Sequence, residues 1–80
     1  MNKDQIQSGV QKILSIILKH EVGVNAKRVD LESWDSLKHI DIIFALEDEF
    51  GIEFEADEMN EMVTFTDIVS IVSEKIKTIK

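Results

Sequence analysis

The sequence predicts an all-α protein: a small bundle of three main helices plus one short helix, with a long loop between the first and second helices. Two observations carry this prediction. Apolar residues recur at helical spacing in three separate segments. The chain also has no proline, three glycines and few aromatic residues, which favours helices joined by loops over a many-stranded sheet. Because 80 residues suffice for one domain, we expect residues 1–80 to form a single domain.

The first predicted helix is amphipathic. Its apolar residues recur at helical spacing: Ile6, Val10, Ile13, Leu14 and Ile17. We place its end near Lys19 and His20, because basic side chains suit a helix C-terminus and Gly23 follows.

Residues 21–34 show no clear period and form the predicted long loop. A connection of this length is unusual in so small a domain and is often functional. Four large apolar residues in it are expected to hold the loop against the core: Val24, Val29, Leu31 and Trp34.

The second predicted helix begins at Asp35 and Ser36, ends at Phe50 and Gly51, and has two apolar faces. At about 100° per residue, one face is the expected core stripe: His39, Ile42, Ile43, Leu46 and Phe50. The outer face mixes three large apolar residues with three acids: Leu37, Ile40, Asp41, Phe44, Glu47 and Asp48. A surface helix needs only one buried stripe, so we interpret the outer face as a surface on which a partner docks. The alternative is that its apolar residues lie under a loop or the last helix.

Two more helices complete the predicted bundle. A short acidic turn or helix covers residues 57–62. The last helix begins at residues 64–67, where Thr64 and Asp67 have the spacing of a capping box. Apolar residues follow it at helical spacing: Ile68, Val69, Ile71, Val72 and Ile76.

The charge is unevenly distributed. Of the net −7, residues 30–61 hold twelve acids and one base, Lys38, which gives that segment −11. Nucleic-acid binding needs the opposite sign. An acidic segment instead predicts basic protein partners, steered at long range and sensitive to salt; the alternative is a solvated face that only keeps the protein in solution.

Composition excludes further classes. The chain lacks cysteine, so it has no disulfide, no thiolate metal site and no thiol of its own. Residues 1–5 do not read as a signal sequence, and the apolar stretch 10–18 is too short to cross a bilayer. We therefore expect a soluble, cytoplasmic monomer that binds neither membrane nor nucleic acid.

Two stretches of the second helix resemble acyl carrier proteins. The helix opens on Trp34-Asp35-Ser36-Leu37 and closes on Ala45-Leu46-Glu47-Asp48-Glu49-Phe50-Gly51-Ile52. A lone Asp-Ser-Leu occurs often by chance. Its placement is more specific, since it follows an amphipathic helix and a long loop and opens a helix that ends in acids. The resemblance extends over essentially the whole chain.

The resemblance implies a covalent cofactor. In that family the serine of Asp-Ser-Leu, here Ser36, receives 4′-phosphopantetheine from coenzyme A through a phosphopantetheinyl transferase. Acyl groups are then held as thioesters on the thiol of the arm, which fits a chain without cysteine. Acyl-transferring or acyl-activating enzymes with basic patches are the implied partners. The resemblance implies that these partners bind a docking face on the second helix: Asp35, Leu37, Ile40, Asp41, Phe44, Glu47 and Asp48.

Elementary chemistry agrees with this assignment. A serine at a helix N-terminus presents its hydroxyl to solvent, and an attached phosphodiester would lie near unpaired backbone N–H groups and the positive end of the helix dipole. We expect the transferase to supply the base and the metal, with Asp35 positioning Ser36. Two residues depart from the family pattern. Trp34 occupies a position where a small or aliphatic residue is usual in the carrier of general fatty-acid synthesis, and Lys38 occupies one where acidic or neutral residues are frequent. They suggest a specialised carrier with a dedicated pathway.

Several alternatives compete. Ser36 could simply cap the helix. Catalysis by Ser36, His39 and Asp35 is disfavoured because His39 falls in the core stripe and no Gly-x-Ser-x-Gly motif is present, so we predict no enzyme. A calcium-binding EF-hand fails because Gly51 at its sixth position would leave apolar residues where ligands are required. An unmodified helical adaptor, or an aminoacyl or peptidyl carrier of the same fold, stays open.

A site for the acyl chain is also predicted. It would lie between the second helix and the short one, with a lining that includes pliable methionines: Ile43, Leu46, Met59 and Met62. The alternative is that these four residues are ordinary core.

Overall fold

The computed structural model describes the backbone of residues 2–79 and the side chains of residues 2–77. Within that range four α-helices follow one another: α1 (Lys3–Leu18), α2 (Ser36–Phe50), α3 (Ala56–Glu61) and α4 (Phe65–Ile79). A 3₁₀ turn (Arg28–Asp30) lies in the loop between α1 and α2. The predicted all-α fold of three main helices and one short helix is confirmed. None of these helices is long and apolar enough to span a membrane.

Helix α1 is closed by polar groups at its start and by a left-handed residue at its end. The side chain of Asn2 accepts a hydrogen bond from the Gln5 amide at 2.8 Å, and the side chain of Gln5 accepts one from the Asn2 amide at 3.0 Å. This reciprocal pair is a capping box. At the other end Lys19 has φ 62° and is the C-cap residue. The predicted end of the helix is confirmed, but the residue that terminates it is Lys19 and not Gly23.

The short helix α3 is held at both ends of its first turn. Glu55 and Glu58 form a capping box, and the Glu58 carboxylate also lies 2.8 Å from Nζ of Lys75 on α4. The hydrogen bond from the Glu55 amide, reinforced by Lys75, lowers the pKa of Glu58. A helix of six residues is too short to be stable alone, so the capping box and the ion pair with Lys75 are needed to stabilise it. At the start of α4 the Asp67 amide donates to Thr64 Oγ1 at 3.0 Å, which confirms the Thr64 half of the capping box predicted there.

The core lies where α1 meets both α2 and α4. Four residues of the predicted core stripe are buried, namely His39, Ile42, Ile43 and Leu46, and Phe50 packs against the same core while half-buried. The Phe50 ring reaches α1 at Gly9, where a Cβ would stand only 2.9 Å from the ring edge. A glycine in the middle of α1 therefore lets α2 approach closely.

The loop is held to the core by other residues than those predicted. Trp34 is buried and Leu31 packs partly against the core, as expected. The prediction was wrong for Val24 and Val29, which are 53% and 89% exposed. Val22 takes that part instead.

Polar groups on α1 determine why Val22 is the buried residue. The Val22 amide donates to Ser15 Oγ at 3.2 Å, and its carbonyl accepts from Gln11 Nε2 at 2.9 Å. These bonds satisfy its backbone and bring the chain onto α1 at this position. Because the loop has no period, its own sequence does not reveal which apolar residue faces inward.

The end of α2 gives a test of backbone conformation. Gly51 has φ +64°, whereas no such angle constrains Gly23, and neither glycine has an atom within 4 Å of an added Cβ. Gly51→Ala should lower the free energy of unfolding by about 1 kcal/mol, because a Cβ strains the left-handed conformation. Gly23→Ala, the matched control, should leave it unchanged or raise it slightly. Denaturant unfolding followed by circular dichroism measures both, and equal stability of the two variants would contradict the explanation.

Candidate functional site

The candidate site lies at the N-terminal end of α2, around the Ser36 hydroxyl. Asp35 is the N-cap residue, with an extended backbone and an Oδ1 that accepts a hydrogen bond from the Lys38 amide at 2.9 Å. Ser36 is the first helical residue and is exposed. The interpretation of Ser36 as a simple helix cap is therefore wrong. The Asp35 carboxylate caps α2, so the Ser36 hydroxyl has no capping role.

A cation from the loop reaches the same hydroxyl. Arg28 Nη2 lies 3.3 Å from Ser36 Oγ, and Arg28 Nε donates to the Trp34 carbonyl at 3.3 Å. The backbone of Arg28 is fixed as well, since its amide donates to the Val63 carbonyl at 2.8 Å. Sequence reasoning missed this residue. The available signal was that Arg28 is the only arginine of the chain and lies in the long loop before the Asp-Ser-Leu motif.

Trp34 and His39 are buried residues next to the site and contact each other. Their rings stack with centroids 6.1 Å apart, and Trp34 Nε1 donates to His39 Nδ1 at 3.0 Å. An indole N–H only donates, so Nδ1 is the acceptor and the other ring nitrogen carries the hydrogen. That nitrogen, Nε2, lies 2.8 Å from the Met59 carbonyl on α3. His39 thus joins the residue that precedes the site to the short helix.

The apolar residues of the docking face point outward. Leu37, Ile40 and Phe44 are 75%, 48% and 63% exposed, so the alternative that they pack under a loop or the last helix is wrong. Asp41 and Asp48 are exposed among them.

Two acids of the docking face have structural contacts of their own. Glu47 is half-buried, and its Oε2 accepts a hydrogen bond from the Phe54 amide at 2.9 Å, so it fixes the segment after α2. Asp35 is exposed but caps α2. The exposed outer face of α2 is therefore mainly apolar near Ser36, and Asp41 and Asp48 are its acids without a described hydrogen bond.

Comparisons with known proteins agree with this architecture. No family model matches the chain. An acyl carrier protein from Petrotoga mobilis is 33% identical over 79 residues, which covers 95% of this chain and 93% of that protein. An acyl carrier protein from Thermotoga maritima is 31% identical, with 94% of this chain and 96% of that protein covered. The chain belongs to the acyl carrier protein family. The solution structure of the holo acyl carrier protein from Geobacter metallireducens has the same fold, with a TM-score of 0.79 at 23% identity over 90% of this chain and 86% of the other.

As a member of this family the chain is a non-catalytic carrier. The surroundings of Ser36 agree, because both ring nitrogens of His39 are engaged by Trp34 and Met59. His39 is buried, as its place in the predicted core stripe indicated, and it forms hydrogen bonds there. His20, predicted to lie at a helix end, follows α1 there and places Nε2 2.7 Å from Ser33 Oγ.

The predicted lining of an acyl chain lies in the core of this carrier. Ile43, Leu46 and Met62 are buried, and Met59 packs against them while half-buried. An open cleft of about 640 Å³ lies instead between the start of α1, the loop and α4, and none of those four residues lines it. A binding role for them stays a prediction. In the described part of the chain, no three or more His, Cys, Asp or Glu side chains group as metal ligands would.

The bond between Trp34 and His39 predicts a stability effect. Trp34→Phe removes the indole N–H and leaves His39 Nδ1 buried without a donor, which should lower the free energy of unfolding by about 1–3 kcal/mol. Chemical denaturation followed by far-ultraviolet circular dichroism measures this change without the tryptophan signal. Leu37→Ala, at an exposed position next to the site, should change it by less than about 0.5 kcal/mol. A Trp34→Phe variant as stable as the parent protein would show that the bond contributes nothing.

Proposed function

We propose that this chain carries acyl groups as thioesters on a 4′-phosphopantetheine arm attached to Ser36 Oγ. One observation carries the proposal: an exposed hydroxyl stands at the first residue of α2, released from capping by Asp35, beside an outward apolar and acidic surface. The carrier family names the class of function. The exposed position of the serine at the start of α2 supports Ser36 Oγ as the atom that would bear the arm.

The attachment chemistry balances without a catalytic group on this chain. Ser36 Oγ would bond to the phosphorus that joins the arm to the rest of coenzyme A, the pyrophosphate P–O bond would break, and 3′,5′-ADP would leave. The hydroxyl proton would pass to a base of the transferase. The residues present fit the group, because the hydroxyl is open to solvent and the Arg28 guanidinium lies within reach of a phosphate oxygen. The bound arm would supply the thiol that a chain without cysteine lacks.

The docking face is the proposed surface for partners. Leu37, Ile40 and Phe44 form its apolar part, and exposed Asp41 and Asp48 lie among them. Apolar contacts supply affinity in such a surface, whereas the acids speed encounter with a basic partner and choose its orientation. The expected partners are a phosphopantetheinyl transferase and acyl-transferring or acyl-activating enzymes with basic patches.

The pathway is a finer part of the proposal. Trp34 and Lys38 favour a specialised carrier over the one of general fatty-acid synthesis, and the buried bond from Trp34 to His39 gives the tryptophan a structural reason. Polyketide, aminoacyl or peptidyl cargo would use the same attachment. A cytoplasmic location also stays a prediction.

Attachment is tested by intact mass. Incubation with coenzyme A, magnesium and a phosphopantetheinyl transferase should add one arm to the wild-type protein and to Ser33→Ala, and none to Ser36→Ala. Ser33 is the matched control, because it lies three residues from Ser36 and outside α2. A wild-type protein that gains no mass with several transferases would support the unmodified adaptor instead.

The docking face is tested by the kinetics of the same reaction. Phe44→Ala should raise the KM of the transferase for this protein about 5- to 10-fold, because an exposed aromatic residue at the centre of a contact contributes on the order of 1 kcal/mol or more. Ile16→Ala is the control, since Ile16 is an equally exposed apolar residue (64%) on α1. Equal KM values for both variants would place the contact elsewhere.

A further inference from the structure

We propose that Arg28 binds the phosphodiester of the arm once Ser36 carries it. This inference rests on the proposed function, because it concerns the group that Ser36 would bear. The contact that motivates it is the distance of 3.3 Å from Arg28 Nη2 to Ser36 Oγ. Esterification of that oxygen puts a phosphorus next to the guanidinium, together with the two non-bridging oxygens that share one negative charge.

The guanidinium is held in place before any phosphate arrives. Arg28 Nε donates to the Trp34 carbonyl, and the Arg28 amide donates to the Val63 carbonyl between α3 and α4. The neighbouring residue, Lys27, pairs with Thr64 in an isolated β-bridge. The side chain is therefore anchored through its backbone and through Nε, so little conformational freedom is left to lose when it binds a ligand.

Arg28 also has capacity to spare. A guanidinium carries five N–H donors in a planar fork that matches two phosphate oxygens, and the described contacts use only Nε and Nη2. The single ion pair among the side chains that the structure describes joins Lys75 to Glu58. No carboxylate oxygen of the described side chains lies within 4.0 Å of the Arg28 guanidinium, although Arg28 borders the segment of the chain with net charge −11.

Electrostatics explains why a cation is useful at this position. The phosphodiester adds a negative charge next to the Asp35 carboxylate, which caps α2 and so stays close to Ser36. Like charges at short range disfavour each other. Arg28 offsets this repulsion. Lys38 is the one base on α2, whereas Arg28 reaches Ser36 from the loop and approaches the oxygen that bears the arm directly.

The test compares apo and loaded protein by NMR. Loading is first verified by intact mass. In the wild-type protein the side-chain N–H signals of Arg28 should shift on loading. The ³¹P signal should differ from that of a short phosphopantetheinylated peptide, and it should move toward the peptide value as salt is added.

Variants separate phosphate binding from support of the loop. Arg28→Gln should move the ³¹P signal to the peptide value and remove its salt dependence. Arg28→Lys, which keeps the charge without the fork, should retain part of the difference. Lys27→Gln is the control and should change neither, because Lys27 is an exposed neighbour with no side-chain contact to Ser36 among the described bonds.

The outcomes are distinguishable. A protein that gains no arm would overturn the proposed function and, with it, this inference. A loaded wild-type protein whose Arg28 signals do not move, with a ³¹P signal equal to that of the short peptide, would overturn the inference alone and leave Arg28 with a role only in holding the loop. The wild-type comparison needs no variant, so it decides the question even if Arg28→Gln folds poorly.

Discussion

The hydrogen bond from the Lys38 amide to the Asp35 carboxylate determines what the site can do. It starts α2 at a defined residue, and it gives the capping position to an acid rather than to the adjacent serine. A serine hydroxyl used as a cap points back to the helix and is occupied. With Asp35 in that position, Ser36 is the exposed first residue of a regular helix, and the described contact of its hydroxyl is with Arg28. Both proposals depend on Asp35 as the cap of α2, because this leaves the adjacent Ser36 hydroxyl available for attachment.

A second set of hydrogen bonds connects the site to the short helix α3. His39 accepts from Trp34, the residue directly before the cap, and donates to the Met59 carbonyl on α3. Helix α3 has too few residues to persist without such contacts. A displacement of α3 would therefore disturb His39, and through it the segment that presents Ser36. Arg28 adds a second link, because its amide bonds to Val63 just after α3.

Local patterns were sufficient to predict most of the helices. The spacing of apolar residues identified the buried stripe of α2, and the Thr64 cap and the Gly51 terminus followed from residue type and position. The same periodicity favoured an outward direction for Leu37, Ile40 and Phe44, because a surface helix needs only one buried stripe, and their exposure in the structure decided against the alternative.

Contacts between distant segments were not predictable in this way. Val22 rather than Val24 or Val29 faces inward, because two side chains of α1 bond its backbone. The approach of Arg28 to Ser36 depends on where the loop crosses the connection between α3 and α4. Glu47 looked like a free surface acid, but it binds the Phe54 amide seven residues later. In each case the partner is chosen by the tertiary fold, so a single helical or loop segment carries no trace of it.

The most direct measurement of the central claim is fragmentation mass spectrometry of a peptide that contains both Ser33 and Ser36, taken from protein treated with coenzyme A and a transferase. We predict that the arm is found on Ser36 alone, because Ser36 is the exposed first residue of α2, whereas Ser33 lies outside the helix and its Oγ is bonded to His20. An arm on Ser33, or a peptide that stays unmodified throughout, would contradict it.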